Sequence, residues 1–164
     1  MTTPAQKAIF IGVGNPFRGD DGAGRAVVQH LRREIPPGVK VVEETGDGAE
    51  LLEAWKGADC VILVDAVQSG APPGTIHRLD ARMEKLPAWF SRASTHSFGV
   101  AEAIELARMM GDLPAKLIVY GIEGLDFSAG TALSPEVAAA VPGAANLILR
   151  EILHLPTALT AKPH

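Results

Sequence analysis

The 164-residue chain has the composition of an ordinary soluble globular domain, with 47% apolar and 21% charged residues. Its length predicts a single domain over 1–164, with an ordered core of about 7–153. A net charge of −4 argues against a nucleic-acid partner and, more weakly, against binding to an anionic membrane surface. Because the chain has one cysteine, no signal-peptide pattern and no membrane-length apolar run, we expect a cytoplasmic protein without a membrane partner.

Five segments predict β-strands. Four of them are 7–14, 39–45, 59–67 and 115–124. The first and third of these are almost continuously apolar, which is typical of strands buried on both faces of a parallel sheet. The fifth segment, 71–81, begins with a Pro-Gly turn and predicts an antiparallel edge strand.

Four segments predict helices between these strands. They are 22–35, 48–57, 97–111 and 134–155. Ser134 is a suitable N-cap for the last helix and Pro135 suits its first position, whereas the Pro142-Gly143 pair is expected to kink or interrupt it. The stretch 85–95 shows no regular period and is predicted to be a loop.

Strands that alternate with helices predict an α/β fold. We expect three layers, in which a mostly parallel twisted sheet of about five strands carries helices on both faces. Ligands of such folds bind outside the carboxyl ends of the strands. Polar residues that follow strands are therefore the first candidates for a functional site.

The glycine-rich stretch GVGNPFRGDDGAG, at 12–24, follows the first strand, where a phosphate-binding loop would lie. Gly12 and Gly14 match the start of a dinucleotide-binding fingerprint, but Phe17 stands where the third glycine is needed. Pro16 removes a backbone donor, no Walker-type lysine follows, and two acids would face the phosphates. The stretch therefore favours a cation, and its first two glycines are expected to turn the chain sharply away from the strand.

Asp21, Asp65 and His96 follow three different elements at the same predicted edge of the sheet. Asp65 ends the apolar run VILVD, where an acid is costly unless it is paired or bound to a metal. Each residue alone also has a structural explanation as a cap or a surface residue, and for the neighbouring Asp20 we prefer helix capping. Together, two carboxylates and an imidazole suit a borderline divalent transition ion, and three ligands leave coordination positions open.

The remaining candidates for chemistry are weaker. Cys60 begins a buried strand and is expected to behave as a small hydrophobe, and His77 is expected to be a solvated residue of the edge strand. The sequence contains neither an H-E-x-x-H zinc-protease helix nor a G-x-S-x-G serine elbow. A protease with this sequence would belong to neither of those common kinds.

Three ordered blocks resemble the nickel-iron hydrogenase maturation endopeptidases. GVGNPFRGDDGAG is similar to their signature G-x-G-N-x-x-x-x-D-[DE]-G-x-G, and ILVDAVQSGAPPGT to their second block. THSFGVAEAIELARMMGDLP is similar to the third block, a histidine before a helix that closes with G-x-x-P. With YGIEG and LSPEVAAAV, the resemblance extends over about 7–153.

The resemblance implies an endopeptidase that removes a short C-terminal peptide from the precursor of a hydrogenase large subunit after nickel has been inserted. The family's nickel-recognising positions fall on Asp21, Asp65 and His96 of this chain. Nickel would thus arrive with the precursor, and the site would check its presence and orient the scissile peptide. Water activated by the metal or by Asp20, Asp21 or Asp65 would then hydrolyse the bond, and the sequence does not decide whether nickel catalyses or only reports.

One block departs from the family, and two other functions compete. The stretch EETGDGAE stands where relatives often have a Gly-Thr pair, so 45–47 is expected to be a conformationally free substrate loop. A receiver-like signalling domain would also place acids after its first and third strands to hold Mg²⁺, although those acids directly abut the strand. A nickel-binding maturation chaperone would keep the three ligands without hydrolysing anything.

Overall fold

The computed structural model of the chain describes residues 6–156. Its sheet has the strand order β2-β1-β3-β5-β4, with β4 antiparallel to β5 and every other pairing parallel. The strands are β1 (Ala8–Val13), β2 (Val39–Glu44), β3 (Cys60–Val67), β4 (Ile76–Asp80) and β5 (Lys116–Glu123). The α-helices of the described residues are α1 (Ala23–Leu31), α2 (Gly48–Ala54), α3 (Val100–Met109) and α4 (Pro135–Leu153).

Helices cover both faces of the sheet, which confirms the predicted three-layer α/β fold. One core lies between the sheet and the helices α1 and α4, and it contains Phe10, Ile62 and Ile148. The other lies between the sheet and α2 and α3, and it contains Leu63 and Ile104. The central strands β1 and β3 contribute alternate side chains to the two cores, which explains why their sequences are almost continuously apolar.

The local structure differs from the sequence-based expectation at three places. The stretch 85–95 contains a short 3-10 helix, Ala88–Ser91, whose Phe90 is buried against the α2/α3 core. Helix α4 continues through Pro142, so the expected interruption is wrong. The predicted first-position Pro135 is confirmed, but the Ser134 hydroxyl does not cap the helix and bonds elsewhere.

The strand order places a switch point between β1 and β3. The chain leaves β1 toward β2 on one side, and it later returns through β3 toward β5 on the other. The loops that follow β1 and β3 therefore diverge and leave a crevice at the carboxyl ends of these strands. Among residues 6–156, no helix is both long and apolar enough to cross a membrane.

Candidate functional site

Two glycines of the loop after β1 serve different structural purposes. Gly14 has φ of 144°, and a Cβ at this position would collide with the backbone carbonyl of Asp21. It therefore makes the predicted sharp turn. Gly12 instead lies within β1, where a Cβ would collide with Val28 of α1, so this glycine allows close packing of the helix on the strand and not a turn.

Asp21 lies in a short 3-10 helix between β1 and α1. Its neighbours compensate only part of the negative charge of its carboxylate. Its Oδ2 accepts a hydrogen bond from the backbone N–H of Asn15 at 2.9 Å, and Arg18 Nη1 lies 3.8 Å away. Burial raises the pKa of Asp21 above its ordinary value. The Asn15 hydrogen bond and the charges of Arg18, His96 and Arg25 oppose that shift without cancelling it.

Asp65 lies in β3 on the same face as Leu63 and Val67 of the α2/α3 core. Its Oδ1 accepts a hydrogen bond from the N–H of Ala66 at 2.8 Å. Burial, and then the negative charge of Asp21, raise the pKa of Asp65 well above its ordinary 3.8. Asp65 therefore keeps its proton to a higher pH than an exposed aspartate would.

His96 lies in the segment between the 3-10 helix Ala88–Ser91 and α3. Its N–H donates to Ser94 Oγ at 3.1 Å, and that hydroxyl donates to the His96 carbonyl at 3.3 Å. Gly46 packs against its ring, because a Cβ at Gly46 would lie 3.5 Å from His96 Cδ2. Arg18 Nη1 donates to the carbonyl of Ala93 at 2.7 Å and so joins the histidine segment to the loop after β1.

Asp21, Asp65 and His96 line one cavity of about 470 Å³ at the carboxyl ends of β1 and β3. We call it the site cavity. Its apolar wall includes Phe90 and Val100. In the part of the chain that the structure describes, no group of three or more His, Cys, Asp or Glu side chains is arranged to hold a metal ion by itself. The structure thus places the three residues together, and their role as nickel ligands stays a prediction.

Asp20 does not line the site cavity, although it is adjacent to Asp21 in the sequence. Its Oδ2 accepts hydrogen bonds from the N–H groups of Leu125 and Asp126 and from the Ser134 hydroxyl, each at 2.8 Å, and its Oδ1 accepts from the Ser134 N–H at 2.7 Å. Burial alone would raise the pKa of Asp20, but these donors together lower it. The expectation that Asp20 caps α1 is wrong, and a fully buried carboxylate with four donors is a poor general base.

Four further residues also line the site cavity, Phe17, Arg25, Thr45 and Gly46, and of these only Thr45 and Gly46 were expected from the sequence to belong to a substrate loop. The position of Phe17 and Arg25 after β1, next to the switch point, is the signal that would have identified them. The stretch 45–47 is a loop beside the site cavity, and its role in binding the substrate stays a prediction. Gly46 is buried with φ of 103°, and Asp47 caps α2 by accepting a backbone N–H at 3.1 Å.

His77 is not the solvated strand residue that the sequence suggested. Its Nε2 lies 3.1 Å from the carboxylate of Glu123, which is only 2% exposed, and its ring lies 4.8 Å from that of Trp89. The Ser69 hydroxyl donates to the same carboxylate oxygen at 2.5 Å. Because one Glu123 oxygen bonds both the serine and the histidine, the histidine does not relay between them as in a hydrolytic triad. The cluster fixes the loop after β3 to β4 and β5.

Comparison with known proteins gives one consistent result. A family model described as hydrogenase maturation protease, HycI, matches residues 26–151, a range that includes Asp65 and His96. The putative hydrogenase maturation protease of Methanocaldococcus jannaschii is 35% identical over 153 residues, covering 88% of this chain and 95% of that protein. The hydrogenase 2 maturation protease of Escherichia coli is 30% identical over 147 residues, with coverage of 87% and 88%.

The fold comparison agrees with the sequence comparison. The solved structure of the hydrogenase maturating endopeptidase HybD from E. coli matches with a TM-score of 0.75 at 25% identity, covering 90% of this chain and 92% of that one. The match is partial for some other curated relatives, which are named hydrogenase expression/formation proteins. The chain spans about 60% of their length.

Proposed function

The chain belongs to the hydrogenase maturation protease family, and we propose that it removes the C-terminal peptide from the nickel-loaded precursor of a nickel-iron hydrogenase large subunit. The family establishes a peptide hydrolase as the class of protein. The proposal adds the substrate, the recognition of nickel and a cytoplasmic location.

The observation that carries the proposal is the position of Asp21, Asp65 and His96 around one cavity. They come from three separate segments of the chain, and the site cavity lies where α/β folds bind ligands. Two carboxylates and an imidazole offer oxygen and nitrogen ligands to a borderline divalent ion such as nickel. Since the precursor already supplies thiolates to its nickel, the protease needs only to complete the coordination. The metal is then part of the substrate.

The raised pKa values of the two carboxyl groups fit a site that binds a cation. Burial raises the pKa of both Asp21 and Asp65, and the negative charge of Asp21 raises the pKa of Asp65 further. A cation that enters the site cavity would favour the charged forms and displace a proton from Asp65. Neither carboxylate is fully compensated by the protein, in contrast to Asp20.

Hydrolysis requires a base near the scissile peptide, and the position of each carboxylate reduces the number of candidate bases. We assign the role to Asp21 or Asp65, because both line the site cavity and Asp20 does not. The carboxylate takes a proton from water as the water oxygen attacks the peptide carbonyl carbon. When the C–N bond breaks, that proton passes to the leaving amine nitrogen, so that a carboxylic acid and an amine result.

The decisive experiment mixes the protein with large-subunit precursor, either nickel-loaded or nickel-free, and measures the precursor mass. We expect the loss of a C-terminal peptide only from the loaded form. Replacing His96→Ala should reduce cleavage by about 10²-fold or more. The control His30→Ala changes an exposed histidine of α1 and should cleave normally.

Other outcomes would contradict the proposal in different ways. Equal cleavage of nickel-free precursor would refute nickel recognition. Nickel-dependent binding with no change in precursor mass would indicate the maturation chaperone instead. Covalent labelling by a small phosphodonor with Mg²⁺ would indicate the receiver-like domain.

A further inference from the structure

Phe17 is a large apolar residue that the fold leaves in solvent. Its side chain is 70% exposed, whereas Phe10 and Phe90 are at most 3% exposed. Single exposed apolar residues are common on protein surfaces, so exposure by itself indicates nothing. The surroundings of Phe17 distinguish it from the others.

The backbone of Phe17 is fixed on both sides of the residue. Its N–H donates to Asn15 Oδ1 at 2.9 Å, and its carbonyl accepts from the N–H of Gly130 at 2.9 Å. The next residue, Arg18, donates a hydrogen bond to the carbonyl of Ala93, and its guanidinium carbon lies 5.4 Å from the centroid of the Phe127 ring. The exposed ring is therefore presented by an ordered segment, so little conformational entropy is lost when a partner covers it.

Phe17 also borders the site cavity, whose lining is mixed in polarity. Pro16, Phe90 and Val100 line the same cavity, so the cavity offers apolar side chains to a ligand besides the exposed ring. A small molecule confined to a volume of about 470 Å³ would leave most of Phe17 exposed. Only a ligand that passes out over the cavity mouth covers the ring, as an extended polypeptide does.

We propose that Phe17 is a substrate-docking residue, which contacts an apolar side chain of the precursor segment that enters the site cavity. This inference rests on the proposed function and adds the chemical character of the bound segment. Such a contact lies away from the reacting atoms and is the same before and during bond cleavage. It therefore contributes to KM and leaves kcat unchanged.

The test measures steady-state cleavage of nickel-loaded precursor by three variants. Phe17→Ala should raise KM about tenfold or more, with kcat within twofold of the wild type, because an apolar contact area of one ring is lost. Phe17→Leu should restore most of the affinity. The control Met83→Ala removes an apolar side chain that is 79% exposed and lies beyond β4, at the opposite end of the sheet, and should leave KM unchanged.

These outcomes separate the inference from the proposed function. If the wild type does not cleave the precursor, the proposed function fails. If the wild type cleaves and Phe17→Ala has an unchanged KM, or Met83→Ala raises KM equally, only the docking role is overturned. Thermal unfolding of each variant should match the wild type, since Phe17 and Met83 are both exposed.

A cross-linking experiment locates the contact independently. Phe17 is replaced by p-benzoylphenylalanine, and the protein is irradiated with saturating nickel-loaded precursor. We expect a cross-link to an apolar residue near the precursor's cleaved bond, identified by mass spectrometry. A cross-link to a distant part of the precursor, or none, would contradict the docking role.

Discussion

Two groups of charged residues compensate their carboxylates to opposite extents. On the α4 side, Glu151 contacts Arg78 Nε at 2.8 Å, the Tyr120 hydroxyl at 2.9 Å and Lys116 Nζ at 3.3 Å. Burial alone would raise the pKa of Glu151, but these partners lower it to about 2. This carboxylate is charged and fully compensated within the fold.

At the site cavity, Asp21 and Asp65 have raised pKa values, because burial, and for Asp65 also the charge of Asp21, exceeds what the neighbouring donors supply. The comparison separates acids that the fold compensates from the acids for which we propose a functional role. Asp20 is adjacent to Asp21 in the sequence, yet four donors compensate its carboxylate. It therefore resembles Glu151 and not its neighbour. An uncompensated pair in a cavity is a stability cost that a bound cation removes.

The largest expected effect is that of Asp65→Asn. We expect cleavage of the precursor to fall by about 10³-fold, because a ligand and a candidate base are lost. The isolated protein should nevertheless become more stable in urea at neutral pH, since the amide needs no charge compensation. Because the pKa of Asp65 is raised in the folded protein, the unfolded chain releases this proton first, and the wild type loses stability as pH rises from 3.8 toward the raised pKa. The stability gain of the variant should therefore vanish below pH 3.8.

The control for this prediction is Asp112→Asn, which changes an exposed aspartate far from the site cavity. It should alter neither cleavage nor the urea midpoint. A destabilised Asp65→Asn variant would show that the site carboxylate is compensated after all, and the contrast with Glu151 would fail.

Asp20→Asn is expected to act on stability, with a loss of about 3 kcal/mol in the free energy of unfolding. The amide nitrogen of asparagine cannot accept the hydrogen bonds that Asp20 takes from Leu125, Asp126 and Ser134. Urea titration measures the loss, and Asp126→Asn, at an exposed neighbour, is the control. Cleavage per folded molecule should stay within a few-fold of the wild type; a 10³-fold fall would return Asp20 to the catalytic candidates.

Glu151→Gln should have the smallest effect, at most about 3 kcal/mol at neutral pH. The lowered pKa means that Glu151 contributes its stability above 4.5 and loses it as pH falls toward 2. The difference between variant and wild type should therefore shrink over that range in urea titrations. The control Glu105→Gln breaks a longer pair with Arg108, in which the carboxylate is more exposed than that of Glu151, and should cost about 0.5 kcal/mol or less. A constant difference across this pH range would contradict the account.

The sequence predicted most of the fold because its signals are local. Apolar runs, helix periods and turn residues identified all five strands and four helices within residues 6–156. The failures were also local. Helix α4 continues through Pro142 because the core holds its buried side chains, and the 3-10 helix at Ala88–Ser91 is too short for its period to be recognised.

For the site, the sequence by itself determined which residues could act. Asp21, Asp65 and His96 stand after strands or before a helix, and their chemical types point to a cation. Only the tertiary structure separated Asp21 from Asp20. The carboxylate of Asp21 lines the site cavity, whereas that of Asp20, one residue earlier, accepts hydrogen bonds from a loop that is distant in the sequence. Hydrogen bonds across more than 100 positions leave no local pattern in the sequence. For the same reason, the place of Phe17 at the site cavity was recognised only once the loops were seen together.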